Sequence, residues 1–348
     1  MSRARDFADL AGAADAGTVS GANLFINGDM AVAQRGDVTI SASSSGYGGA
    51  DRWITYITAG TATMDVSQDT DVPSGQGFSN SQKMACSTTG TFSSSSYSLI
   101  GQLIEGQNLQ HLKFGTSSAE SLTLSFWVKS NKTGTFNVEI RSTDSTLPTA
   151  TTYQNVTQVT ISAADTWEYK TFTIAGNTSG DIRNNSFAGL EIYMWLKTGS
   201  DFTSSGDVTG NGWVTYLAGN TGYGADIDIT TSTSDYFAIT GVKLEVGSTA
   251  TPFLHESYGE NLAKCQRYYW QNANNSGYYA YQYVSTHKFL PVFFPVPMRA
   301  TPTADVSYST GSFTEYATSE YGFKSYITSS YTDTTGYSTT YVKFEAEL

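Results

Sequence analysis

The chain is short of charge. Only 14% of its 348 residues are Asp, Glu, Lys or Arg, where an ordinary soluble domain carries about a quarter. Its polar surface therefore has to be made from hydroxyls, amides and glycine. Positive charge is scarcer still: 19 Lys and Arg stand against 31 Asp and Glu, a formal net charge of -12. That balance argues against nucleic acid as a partner, because such affinity comes from neutralising phosphates with Lys and Arg. It disfavours an anionic bilayer for the same reason. Cys86 and Cys265, the two cysteines, are too few for a disulfide framework and lack metal-ligand spacing, so both are expected as buried thiols. His111, His255 and His287 are widely separated and suggest no metal site. No segment approaches the ~18 apolar residues of a membrane span, and "MSRARDFADLAGAADAG" lacks the apolar stretch of a signal peptide. The expectation is a soluble chain assembled in a cytoplasm, without membrane insertion. Nucleophile elbow, phosphate loop and dinucleotide fingerprint are all missing, and no acidic pair stands out for glycoside hydrolysis.

What is present is the material of β-sheets. Aromatics reach 14% and hydrophobics 39%, enough to bury real cores. Thr, Tyr, Val and Phe suit a pleated half-buried surface, and Gly, Asn, Asp and Ser supply turns. "DRWITYIT" (51–58), "SLTLSFWVKS" (121–130), "TGTFNVEIRS" (133–142), "DTWEYKTFTI" (165–174), "FAGLEIYMWL" (187–196) and "DYFAITGVKLEV" (235–246) alternate apolar and polar residues, as strands of an all-β sandwich do. Trp53, Trp127, Trp167 and Trp195 fall in these strands and read as core residues. "EGQNLQHLKFG" (105–115) reads as a short helix crossing between sheets, stopped at Gly115.

Near residue 257 the character changes. Pro252 breaks the preceding strand, and "GENLAKCQRYYW" (259–270) places Leu262, Cys265, Gln266 and Tyr269 on one helical face. Beyond residue 257 lie fourteen of the 23 tyrosines, in stretches such as "GYYAYQYV" (277–284), "YGFKSYI" (321–327) and "TTYVKFEAEL" (339–348). The expected organisation is an N-terminal segment 1–20, a jelly-roll β-sandwich over 21–256 and a smaller tyrosine-rich β domain over 257–348.

Two short stretches need separate readings. "DVTGNGWVTYLA" (207–218) matches the first half of a calcium loop, but its twelfth residue is Ala218 where the template needs Glu, so a hairpin turn is expected. In "ANLFINGDMAVAQRG" (22–36) a strand-like run halts at Asn27-Gly28-Asp29. A turn or bulge with Gly28 at positive φ and Asp29 capping nearby amides accounts for the halt. Pairing of this stretch with "ITGVKLEVGSTATPF" (239–253) would seal the sandwich.

Taken in order, "NLFINGDMAVAQRG", "GADRW" (49–53), "GVKLEVGSTATPF", "ENLAKCQRYYW" and "FPVPMRATPT" (294–303) resemble blocks of tail fibre and receptor-binding proteins of tailed bacteriophages, over residues 2 to about 303. The first domain is also similar to jelly-roll carbohydrate-binding modules, which often hold a structural calcium. Asn27, Asp29 and Asp235 lie in the corresponding regions without completing a ligand set, and no other cofactor is implied. The resemblance implies a homotrimer in the virion, joined at its N-terminus to a tail or baseplate protein, whose distal β domain attaches to a host surface polysaccharide without catalysis. It leaves open a polysaccharide depolymerase on the same scaffold and a structural capsid or tail decoration protein. Within 1–20, Arg3, Arg5, Phe7 and Leu10 are the candidate virion-attachment residues. For the glycan the candidates are Tyr278, Tyr279, Tyr281, Tyr331, Asp333 and Tyr337, because tyrosine pairs a flat apolar face with a hydroxyl.

Overall fold

The computed structural model describes residues 21–143, 151–204, 212–272, 281–284, 287–308, 314–328 and 339–348. The attachment candidates Arg3, Arg5, Phe7 and Leu10 lie outside the described residues. The chain divides into two compact units, one reaching Glu256 and one spanning Ser257–Glu347. Both are built almost entirely from antiparallel strands.

In the first unit the strands run β1 (Val38–Ile40), β2 (Ser44–Tyr47), β3 (Ile54–Ile57), β4 (Thr63–Asp69), β5 (Ser81–Thr88) and β6 (Tyr97–Glu105). They continue as β7 (Leu122–Ser130), β8 (Gly134–Ser142), β9 (Tyr153–Ile161), β10 (Glu168–Ile174), β11 (Ala188–Thr198), β12 (Val214–Thr215) and β13 (Tyr236–Val246). They form a jelly-roll sandwich of a six-stranded sheet, β1-β4-β5-β13-β7-β10, on a seven-stranded sheet, β12-β9-β8-β11-β6-β3-β2. Alternation decides which side chains meet between the layers. Leu122, Leu124, Phe126 and Val128 of β7 and Phe136, Val138 and Ile140 of β8 all enter one continuous core. Trp53 lies in that core too. Trp195 is buried as well, in a separate small cluster with Leu99 and Tyr193 on the outer parity of its strand. Trp127 is in neither cluster: it falls on the opposite parity of β7 and looks away from the other sheet, which corrects its reading as a core residue. Trp167 also departs from that reading, since it precedes β10, stays half-buried and donates its indole N–H to Asp71.

The crossing between β6 and β7 does connect the two sheets, but as two single 3-10 turns, Gly106–Asn108 and Gln110–Leu112, instead of a helix. Amides of Leu109 and Leu112 bond three residues back, and this tighter winding turns Leu109, Leu112 and Phe114 into the core.

The opening stretch seals the sandwich as expected, by a different device. The Leu24 amide donates to the Leu244 carbonyl and the Val242 amide to the Gly28 carbonyl, each at 2.8 Å. Positive φ falls at Asn27 and Met30, both 58°, and not at Gly28. Asn27 adopts it because its side chain is bonded on both ends. Its Nδ2 donates to the carbonyls of Val32 and Asp51, its Oδ1 accepts the Val32 amide, and its own carbonyl accepts Trp53 Nε1. Asp51 is tied to the same turn, accepting from the Gln34 amide and side chain at 3.0 and 2.6 Å. Gly28 is required for room: a Cβ there would collide with the Val242 carbonyl oxygen.

The second unit opens with a helix, Tyr258–Gln266, started by a capping box between Ser257 and Glu260. It ends three residues before Tyr269, which belongs to β14 (Tyr269–Asn272). β15 (Tyr281–Val284), β16 (His287–Phe293), β17 (Thr303–Tyr308), β18 (Thr314–Ser319), β19 (Gly322–Thr328) and β20 (Thr339–Glu345) follow. They make a three-stranded sheet, β14-β20-β17, and a four-stranded one, β15-β16-β19-β18, around Trp270, Leu290, Val292, Phe323 and Phe344. The proline-rich stretch lies between β16 and β17, over 294–302, and only its last residue, Thr303, enters β17. Cys86 and Cys265 are both buried and not joined in a disulfide.

Replacing Gly28 by Ala tests the seal. The added methyl must push β13 away, which costs about 1–3 kcal/mol as overpacking does. The thermal midpoint should fall by several degrees, and an unchanged midpoint would contradict the close approach of the two segments.

Candidate functional site

In β11 both parities are apolar. Leu190, Ile192, Met194 and Leu196 enter the core, so Tyr193 and Trp195 project from the outer face of the seven-stranded sheet. Register then sets their neighbours. Trp195 stands opposite Leu99 of β6 and Asn137 of β8, while Tyr193 stands opposite Gly101 and Glu139. Leu99 is opposite Tyr56 of β3. A side chain at Gly101 would overlap the Ile192 carbonyl and the Tyr193 ring, so glycine leaves the space that this ring occupies. Phe202, on the turn Ser200–Phe202 after β11, packs on Tyr97 and Trp195 with ring centroids 5.4 and 5.7 Å away. With Arg141 and Tyr216 these side chains line a pocket of about 310 Å³.

Beneath the aromatics sits a charged pair. Glu139 is fully buried and accepts from Trp195 Nε1 at 2.9 Å and from Thr221 Oγ1 at 3.3 Å, while Arg141 Nη2 lies 2.9 Å from its Oε2. The other end of the guanidinium, Nη1, is 3.7 Å from Glu191 Oε2, which also accepts from the Tyr193 hydroxyl at 3.4 Å. The Arg141 plane faces Tyr216 at 4.5 Å and Tyr193 at 5.3 Å, a cation over ring faces. Burial alone would lower the Arg141 pKa, but attraction to Glu139, its hydrogen bond, and the further attraction of Tyr216 and Glu191 together raise the group. Burial raises the hydroxyls of Tyr56, Tyr193 and Tyr216, keeping them neutral donors.

Trp195 is only 4% exposed and Tyr193 8%, so they form the floor; Tyr56, Tyr97 and Tyr216, at 36% the most open, form the walls a ligand would touch. Flat faces ringed by neutral hydroxyls and one guanidinium suit a polyol that also carries C–H surfaces. Glu139 is closed in on its remaining sides and has no open face toward a glycosidic oxygen.

Tyr278, Tyr279, Tyr331, Asp333 and Tyr337 lie outside the described residues, and Tyr281 opens β15 opposite Phe289. The readable sign of the pocket over Trp195 was the double parity of "LEIYMWL" (190–196), which leaves a sheet apolar on both faces. Of the residues in the calcium-related regions, Asn27 is spent on backbone bonds and Asp235 on Lys132 at 3.1 Å, Thr231 and Ser232. Asp29 lies 4.0 Å from His255.

No protein-family model matches the sequence, and no curated protein matches it. Among solved structures the chain is similar to the enzymatically active domain of tailspike protein 4 of bacteriophage CBA120, with 15% identity, 56% of this chain covered and a TM-score of 0.33. It spans 19% of that tailspike chain. It is similar to a CBM4 module, with 13% identity over 64% of this chain and 98% of that one, TM-score 0.31. A third is the family 11 carbohydrate-binding module of the cellulosomal cellulase Lic26A-Cel5E of Clostridium thermocellum, with 12% identity over 62% and 97%, TM-score 0.30.

Glu191 gives the site a pH dependence of known sign. Burial raises its carboxyl above the ordinary range, only partly offset by Arg141. The neutral form therefore favours the fold: that stabilisation is complete below the unfolded pKa and is lost as pH rises through the folded value. Glu191→Gln should raise the thermal midpoint at pH 7, and the advantage should vanish once the medium is acid enough to protonate the wild-type carboxyl. A midpoint lowered at pH 7 and restored in acid would reverse the sign.

Proposed function

We propose that this protein is a non-catalytic adhesin of a tailed-bacteriophage tail fibre, and that the pocket over Trp195 takes a neutral host surface glycan. The observation that carries the reading is the outer face of the seven-stranded sheet, where Tyr56, Tyr97 and Tyr216 offer rings and hydroxyls above a floor fixed by Glu139 and Arg141. The ordered sequence blocks support the phage assignment. A protein net charge of -12 favours an uncharged sugar over an anionic one. In this reading the chain is a homotrimer of the virion, and residues 1–20 attach it to a tail or baseplate protein. Three copies acting together would raise a weak single-site affinity by roughly 10² to 10⁴.

A depolymerase draws support from one feature, the presence of Glu139 and Glu191 on a shared arginine. The enclosure of Glu139 favours binding over bond cleavage, since an acid catalyst must reach the glycosidic oxygen.

The test uses purified full-length protein, susceptible cells and their surface polysaccharide. Wild-type protein should bind cells, block infection and release no reducing ends. Tyr97→Ala with Tyr216→Ala should keep the fold and weaken cell binding about tenfold or more, the scale of losing two aromatic contacts. Reducing-end release would establish the depolymerase instead, and undiminished adsorption by the double variant would move the site off this face.

A further inference from the structure

The six-stranded sheet carries a second pocket on its own outer face, of about 410 Å³. It is built around a cross-strand pair, Trp127 of β7 opposite Tyr169 of β10, with ring centroids 5.3 Å apart. Tyr169 is 46% exposed. Ser125 lies two residues before Trp127, on the same face, and Gln76 presents an exposed amide at the rim. Phe78 and Phe253 close the other side in an edge contact at 5.2 Å.

The walls are held from below. Gly241 sits at φ +60°, and a Cβ there would stand 2.5 Å from Phe78 Cζ, so the ring fills the place of a side chain. The ion pair of Lys243 and Glu245, 3.0 Å apart and buried, grips the chain that carries Phe253. Lys243 Nζ donates to the Pro252 carbonyl at 3.0 Å, and Glu245 accepts the Thr251 amide and hydroxyl at 2.8 and 2.6 Å.

The polar groups facing this pocket are unmatched. Four of the five tryptophans in the first unit donate their indole N–H to a protein acceptor: Trp53 to Asn27, Trp167 to Asp71, Trp195 to Glu139 and Trp213 to Ala175. Trp127 Nε1 has no such acceptor among the described residues; its side chain is only partly buried, and the N–H stays open to a ligand or to water. Ser125 is 3% exposed, and its hydroxyl is likewise without a protein partner among the described residues. No lining residue is charged.

We infer that this pocket is a second saccharide site, for a neutral sugar whose ring faces Trp127 and Tyr169 and whose hydroxyls meet the Trp127 indole, Ser125 and Gln76. An aromatic pair takes the C–H face of a sugar ring, while the indole N–H supplies a donor and the serine hydroxyl a group that both donates and accepts. The lack of charge excludes phosphate, sulfate and uronate groups as the main recognition element. This site is independent of the pocket over Trp195 and would stand if that one failed.

Indole resonances of ¹⁵N-labelled full-length protein provide the test, with Trp127→Phe used to assign the Trp127 signal. The probes are neutral mono- and disaccharides of glucose, galactose, mannose and N-acetylglucosamine. At least one should shift the Trp127 indole saturably, and the shift should persist in Tyr97→Ala with Tyr216→Ala. Tyr169→Ala, at an exposed position where folding is undemanding, should weaken that titration by roughly five- to tenfold. Overturning results are an unmoved Trp127 resonance with every probe, or a shift that disappears with the Tyr97 and Tyr216 substitutions and not with Tyr169→Ala.

Discussion

The pocket over Trp195 depends on one buried carboxylate. Glu139 lies on the outward parity of β8, where a strand residue would ordinarily meet water, yet it is fully covered. A charge so placed is tolerated only when paired and hydrogen-bonded. Arg141 and the Trp195 indole meet that need, each at 2.9 Å, with Thr221, the last residue of the short helical turn Ala218–Thr221. The consequence is positional. Trp195 is pinned by its N–H, Arg141 is held with its plane against Tyr193 and Tyr216, and the chain near Thr221 is drawn onto the sheet. Asn137 strengthens that last attachment by donating to the carbonyls of Thr221 and Tyr223. A binding surface made of flat rings needs such fixing, because a mobile ring loses conformational entropy on contact.

Much of the sandwich was legible. Strand positions followed from alternation, which gave β7, β8, β11 and β13 nearly residue for residue. Alternation says which residues share a face but not which face is inside. In β11 both faces are apolar, so Trp195 read as core and is buried, but on the outer side of the sheet, where it also forms the floor of a pocket. The pairing of Tyr193 with Glu139 was beyond reach for another reason: the two lie on strands whose register is fixed only by the folded sheet. The turn at Asn27 shows a third limit. A glycine in a turn suggests positive φ, but here the asparagine takes it, and the glycine is needed because two backbones nearly touch.

Low charge connects composition to the two faces of the sandwich. Each outer face bears a pocket walled by aromatics, and in the six-stranded sheet the lining is wholly uncharged. Surface made from hydroxyls, amides and rings meets neutral sugars on their own terms, because each sugar hydroxyl both donates and accepts. The first unit also fixes its N-terminal stretch and the chain after β13 by internal bonds, through Asn27 and through Lys243 with Glu245. Both pockets therefore rest on well-tied backbone, the condition under which weak contacts add without a large ordering cost.

The proposed function stands or falls with glycan binding over Trp195 on the seven-stranded sheet. A structure of the full-length protein with an oligosaccharide cut from the surface polysaccharide of susceptible cells tests it most directly. Sugar rings should lie against Tyr97 and Tyr216, with Glu139 still bonded to Trp195 and Arg141. Sugar bound elsewhere on the protein while this pocket stays vacant, or a ligand cleaved against Glu139 and Glu191, would contradict it.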